Sequence, residues 1–182
     1  MKILFIRHPK TQDNHNNVWC GLRDCEISQD GLKQLHNLKN EIKKYQVTKI
    51  FTSPCRRAYI VAQELSRVFK LEIHVEQNLI ERDFGKLEGL PCNSNDKLLM
   101  ADFNLNSDLN LGIEKIQDMY LKRVKPFIER IWKESEKNDT IVVISHSWVG
   151  RLFAFYFNNE KDFDIITKAP INCKIYEYNV NN

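Results

Sequence analysis

Four apolar residues, Ile3-Leu4-Phe5-Ile6, run straight into Arg7-His8-Pro9. A continuous apolar run of this kind makes a strand buried on both faces. Such a strand needs a sheet with layers above and below it. The polar pair at its carboxyl end stands where open α/β sheets bind their ligands. Taken alone, Arg7-His8 reads equally well as a solvated turn. The remainder of the chain decides between the two.

A second run repeats the form. Thr140–Ser145 is the clearest buried strand in the sequence, and it ends in His146. Lys49–Thr52 is a short strand closed by Ser53-Pro54, and residues 73–76 make a third. Residues 173–178 alternate like a last strand at a sheet edge. Helical patterns fill the gaps. Ser28 is a good N-cap for a helix carrying Leu32, Leu35, Leu38 and Ile42 on one face. Ala58, Val61, Ala62, Leu65 and Val68 mark another helix, which runs to about Phe69. Residues 113–136 read as helical, with Ile116, Tyr120, Val124, Phe127, Ile128 and Ile131 on one side. Pro126 should kink or split that helix. Residues 149–157 form an apolar helix behind His146.

Strands alternating with helices predict a three-layer α/β/α fold with a mainly parallel sheet. The 182 residues suit a single domain. Residues 12–26 read as a polar loop near the end of the first strand. A short lid-like insertion is expected over about residues 82–111. Within it, residues 91–111 are polar and weakly periodic.

The net charge of +3 gives no case for a nucleic-acid partner. No run approaches a membrane span, and the first residues enter a strand with no secretory pattern, so a cytoplasmic protein with no membrane partner is expected. The five cysteines are odd in number and scattered, with no Cys-x-x-Cys pair. That argues against a disulfide framework and a zinc site. No His-x-x-x-His pair occurs either, so neither metal nor cofactor is expected.

In a parallel sheet, the carboxyl ends bring Arg7-His8, Arg57, Glu81 and His146 to one rim. Core packing does not select such a polar set. Two arginines and two histidines suit a compact, doubly charged anion, because Arg donors match phosphate oxygens in pairs. A histidine with one ring nitrogen held by a carbonyl can attack phosphorus with the other. A carboxylic acid nearby can protonate the leaving oxygen.

These residues lie in motifs that resemble the histidine phosphatase superfamily, which includes the cofactor-dependent phosphoglycerate mutases. That family opens with Arg-His-Gly-Glu-Thr and then Asn. This chain has Arg7-His8-Pro9-Lys10-Thr11 and then Asn14. Cys20-Gly21 with Asp24, Ile27-Ser28 and Gly31 is similar to the next block. Ser53-Pro54-Cys55-Arg56-Arg57-Ala58 is similar to Ser-x-Leu-x-Arg-Ala, with Cys55 in place of Leu. Leu79-Ile80-Glu81-Arg82-Asp83-Phe84-Gly85 with Glu88-Gly89 resembles the acidic motif. Ser145-His146, with Arg151 beyond, resembles the second histidine motif. Five motifs in order cover essentially the whole chain.

The resemblance implies a phosphoglycerate mutase-like fold and a phosphatase acting on phosphomonoesters of small metabolites through a phosphohistidine, without a metal. His8 would be the nucleophile. Arg7, Arg57 and His146 would bind phosphate, with Asn14 and Ser147 at its edge. Glu81 would be the proton donor, with Asp83 and Glu88 as neighbouring candidates. A mutase, a phosphohistidine-protein phosphatase and a non-catalytic phosphate-binding module are the competing readings. Pro9, Lys10, Ser147 and Trp148 depart from the usual motif residues. Trp148 would narrow the pocket or pack behind it, and Trp19 would pack or cover the substrate. Arg56 reads as a solvated charge, and His15, His36 and His74 as structural or exposed. An edge at Ile175, Tyr176 and Tyr178 would allow pairing into a homodimer.

Overall fold

A computed structural model describes residues 1–92, 111–160 and 168–179. Strands β1 (Lys2–Arg7), β2 (Lys49–Thr52), β3 (Ile73–Val75), β4 (Thr140–Ser145) and β5 (Ile175–Asn179) form one sheet in the order β3-β2-β4-β1-β5. The first four are parallel, and β5 runs antiparallel along the free edge of β1. The apolar runs sit at the centre. Ile3 to Ile6 and Ile141 to Ile144 are wholly buried.

Alternation along the central strands sorts their side chains into two cores. Leu4, Ile6, Val142 and Ile144 pack against α2 (Gln29–Glu41) and α3 (Arg56–Phe69). Ile3, Phe5, Ile141 and Val143 pack against α5 (Lys125–Glu134) and α6 (Ser147–Phe157). The result is the expected three-layer α/β/α sandwich. The described residues also hold two short helices: α1 (Gln12–His15), after β1, and α4 (Ile116–Met119), before α5.

The sequence pattern holds in detail at most places. Ser28 caps α2 through its Oγ, which accepts from the Gly31 N–H at 3.2 Å. Leu32 departs from the pattern. It lies in the first turn of α2 and is 48 % exposed, while Gly31 is buried in its stead. A Cβ at Gly31 would collide with the Lys10 carbonyl, so this turn packs by backbone contact. Pro126 does split its helix. Residues Tyr120–Val124 widen into a π turn between α4 and α5. Proline has no N–H for a bond four residues back, and its ring crowds that carbonyl, so the wider turn accommodates it.

The lid-like insertion lies largely outside the described residues, since these stop at 92 and resume at 111. Its beginning is packed. Val18 bridges to Pro91, and the Trp19 ring lies 4.6 Å from that of Phe84. No helix among the described residues is long and apolar enough to cross a membrane.

The cysteines correct the sequence reading. Cys20 and Cys25 are bonded as a disulfide. Neither a Cys-x-x-Cys search nor an odd total finds such a pair. What brings the sulfurs together is the path of the loop, which turns back at Gly21 with φ of +55°. Cys55, Cys92 and Cys173 are free thiols.

Candidate active site

Strand register builds the centre of the site. β1 and β4 pair residue for residue, ending at Arg7 with Ser145. The next residues, His8 and His146, therefore emerge side by side, with ring centroids 5.2 Å apart. β2 pairs with β4 on the other side, ending at Thr52 with Ile144. Ser53 follows and donates its N–H to the Ile144 carbonyl at 3.0 Å. Its Oγ then lies 2.7 Å from His146 Nε2. Three adjacent strand ends thus deliver His8, His146 and Ser53 to one spot.

Each histidine is oriented by one bond. His8 Nδ1 lies 2.7 Å from the Pro9 carbonyl oxygen. A carbonyl only accepts, so Nδ1 carries the proton and Nε2 carries the lone pair. Pro9 in place of glycine leaves this bond intact. Asn172 holds the same turn by donating to the His8 carbonyl at 2.7 Å. His8 and His146 are both buried. Burial holds the His8 pKa well below the ordinary histidine value, helped by the charges of Arg57 and Arg7 and opposed by the bond to Pro9. Burial lowers His146 likewise, with Arg57, His8 and Arg7 adding to it. Both rings are neutral at neutral pH.

Arg57 and Arg7 are gripped by backbone carbonyls, with no carboxylate in hydrogen-bond contact among the described residues. Arg57, 2 % exposed, opens α3. Its Nη1 donates to the Arg23 carbonyl at 2.9 Å, and its Nη2 to the Gly21 carbonyl at 2.6 Å. Arg7 Nη1 donates to the Pro170 carbonyl at 3.0 Å. Burial lowers the Arg7 pKa, while the charge of Glu81 raises it. Arg7 Nε, Arg57 Nε and His146 Nδ1 are buried nitrogens with no hydrogen-bond partner among the described residues. Buried polar atoms rarely stay unpaired, and these suit an anion's oxygens.

Glu81 is placed at the start of α6. Its Oε1 accepts from the N–H groups of Arg82 at 3.0 Å and Trp148 at 3.1 Å, and its Oε2 accepts from that of Ser147 at 3.0 Å. A carboxylate suits the positive end of a helix. The neighbouring acids are used elsewhere. Asp83 Oδ1 accepts from the Gly85 N–H, and Glu88 Oε1 from those of Leu22 and Phe84.

The remaining expected residues fall as follows. Asn14 and Thr11 form a capping box on α1, so the Asn14 Oδ1 is engaged by the Thr11 N–H at 3.3 Å. Ser147 is half-buried at the first turn of α6. Lys10 reaches to Asp30, 3.5 Å away on α2. Trp148 is buried in the core behind the site, with the Arg82 and Arg151 guanidinium groups 4.9 and 4.7 Å from its ring. Arg56, His15, His36 and His74 are exposed. The sequence reading missed Ser53, Asn172 and the carbonyls of Gly21, Arg23 and Pro170. Ser53 alone carried a signal, by standing in the motif that contains Arg57.

A neutral histidine pair with one buried and one half-buried arginine, at the carboxyl edge of a mainly parallel α/β/α sheet, defines an enzyme of the phosphoric monoester hydrolase class. The sequence profile of the histidine phosphatase superfamily (branch 1) matches residues 3–180, and the chain belongs to that family. It is 30 % identical over 152 residues to phosphoserine phosphatase 1 of Hydrogenobacter thermophilus, covering 81 % of this chain and 71 % of that one. Its fold matches that of a mycobacterial glucosyl-3-phosphoglycerate phosphatase complexed with VO3, with a TM-score of 0.84, 19 % identity and 97 % and 91 % of the two chains covered. It also matches the alpha-ribazole phosphatase of Shigella flexneri, with a TM-score of 0.84, 20 % identity and 100 % and 91 % covered.

Proposed function

We propose that the chain hydrolyses phosphomonoesters of small metabolites through a phosphohistidine on His8, with no metal ion taking part. The observation that carries this reading is the His8 ring itself. It is neutral and buried, with its proton fixed on Nδ1 by the Pro9 carbonyl, so Nε2 is a nucleophile beside two guanidinium groups.

The chemistry follows in two steps. His8 Nε2 attacks phosphorus, the N–P bond forms, and the ester P–O bond breaks. Glu81 enters this step as the neutral acid, gives its proton to the leaving oxygen, and is left as the carboxylate that the Arg82, Ser147 and Trp148 N–H groups hold. Water then attacks phosphorus, the N–P bond breaks, and the Glu81 carboxylate takes the water proton. Arg7, Arg57 and His146 balance charge on the equatorial oxygens throughout, where phosphoryl transfer gains most from fixed donors. Asn14 and Ser147 complete the rim. Phosphoserine and a phosphorylated sugar acid, named by the relatives, are the first substrates to try.

The test is hydrolysis of p-nitrophenyl phosphate in the presence of EDTA. The wild type should turn over with its rate unchanged by the chelator. His8→Ala should lose at least about a thousandfold, the scale on which removal of a covalent nucleophile acts. Retained activity in His8→Ala would end the phosphohistidine reading, and loss of activity with EDTA would end the metal-independent one. Glu81→Gln should slow an alkyl phosphate more than the nitrophenyl ester, whose leaving group needs little protonation.

A further inference from the structure

We propose that Cys20 and Cys25 form a reversible dithiol–disulfide switch that sets how firmly Arg57 is presented to phosphate. The proposal rests on the phosphate-binding role of Arg57 given above. The bond closes the loop that holds Arg57. Gly21 and Arg23, whose carbonyls take the Arg57 fork, both lie between the two cysteines. The same loop is tied on its other side to the acidic segment, through the Leu22 N–H and Glu88 Oε1 at 2.8 Å. A closed ring keeps both carbonyls in place, whereas an open chain has many more conformations to lose.

The surroundings favour a couple that works. Residues 22–24, between the two cysteines, are exposed, so the loop that carries the pair faces solvent. A carboxylate oxygen of Asp13 lies within 4.8 Å of both sulfurs. A carboxylate that close repels a thiolate and biases the pair toward the uncharged disulfide. Cys92 and Cys173 are poor competitors. Burial pushes Cys173 up to about 12 and also raises Cys92.

The exchange balances with a low-molecular-weight disulfide such as oxidised glutathione as oxidant. One cysteine thiolate attacks it, forming a mixed disulfide and releasing one glutathione. The second cysteine attacks the mixed disulfide, forms the Cys20–Cys25 bond and releases another glutathione. Two electrons leave the pair with its two protons. Excess dithiol reverses both steps.

The experiment compares the protein poised in oxidised and in reduced dithiothreitol, with the state of Cys20 and Cys25 read by alkylation and mass spectrometry. Two quantities are measured: turnover of p-nitrophenyl phosphate, and binding of inorganic phosphate by calorimetry. Reduction should raise KM and the phosphate Kd by about threefold to tenfold, as loosening one or two positioned hydrogen bonds does. It should change kcat less, and reoxidation should restore both values. Cys25→Ala should match the reduced wild type and ignore the redox poise. Should that variant not fold, the reduced wild type blocked with iodoacetamide gives the same comparison. Unchanged KM and phosphate Kd in fully reduced protein would overturn the switch, as would a response that persists in Cys25→Ala. Redox-dependent phosphate binding without hydrolysis in either state would support the switch and count against the phosphatase reading.

Discussion

The two halves of the site are held by different means. His8, His146 and Ser53 stand on three paired strands, and the sheet register alone sets their spacing. Arg57 and Arg7 are tied to loops, through carbonyls that only the path of the chain positions. The sheet half is bound up with the core, so damage there costs stability and activity together. The loop half rests on a few hydrogen bonds and one covalent link. Damage there should cost phosphate affinity and leave the core standing. On the proposed reading, the nucleophile stands on the rigid half, and the two arginines that receive phosphate are held by the adjustable one.

After removal of His8 itself, the largest expected effect lies in the loop half. Arg57→Lys removes the planar fork that spans the Gly21 and Arg23 carbonyls, and kcat/KM should fall about a hundredfold. Its denaturation midpoint should move little. A large loss of stability would break the distinction between the halves. Gly150→Ala addresses the sheet half. A Cβ there would meet Phe5 Cε1 at 2.5 Å and Pro170 Cγ at 2.6 Å. Overpacking of this kind should cost about 1–3 kcal/mol in urea unfolding. The Pro170 contact should carry part of the damage to Arg7, so KM should rise as well.

The pH dependence of stability should come from the sheet half. His8 and His146 are neutral in the fold, with pKa values well below the ordinary 6.5. Below that value the unfolded chain binds protons that the fold refuses. Stability is therefore full above about pH 6.5 and should fall as the pH drops, by up to about 1.4 kcal/mol per unit for each histidine. Urea midpoints across that range check it, and a flat profile would remove the buried histidines as the source. The smallest effect should be that of Ser53→Ala, which leaves His146 Nε2 without its partner. A loss of about 1 kcal/mol in stability, and up to about tenfold in kcat/KM, is expected from one buried hydrogen bond.

The same division decides what could be read from the sequence. Apolar runs ending in histidine were legible, because burial on both faces leaves a continuous pattern and a parallel sheet aligns the ends. The split at Pro126 was legible, because the missing N–H is a property of the residue. Arg57 and Glu81 were legible through their motifs, since a polar residue after a strand has no periodicity of its own. The Gly21, Arg23 and Pro170 carbonyls were not legible. Every residue has a carbonyl, and only a loop's path aims one. The disulfide failed for that reason too, because five positions of separation do not reveal that the chain doubles back. Leu32 misled because helical spacing counts apolar residues without knowing that Gly31 brings the backbone itself into contact.

The pairing of β1 with β4 also has a consequence in time. The two strands lie side by side, yet Lys2 pairs with Thr140 and Arg7 with Ser145, across most of the chain. Contacts between such distant positions form late, because a long loop must close before they return any energy. A chain still being synthesised holds its first strand without a neighbour until β4 has emerged. His8 is made well before β4 and waits for it. Each molecule therefore passes through a period in which the hydrophobic strand under His8 is exposed and the enzyme is silent, and activity arrives together with the finished sheet.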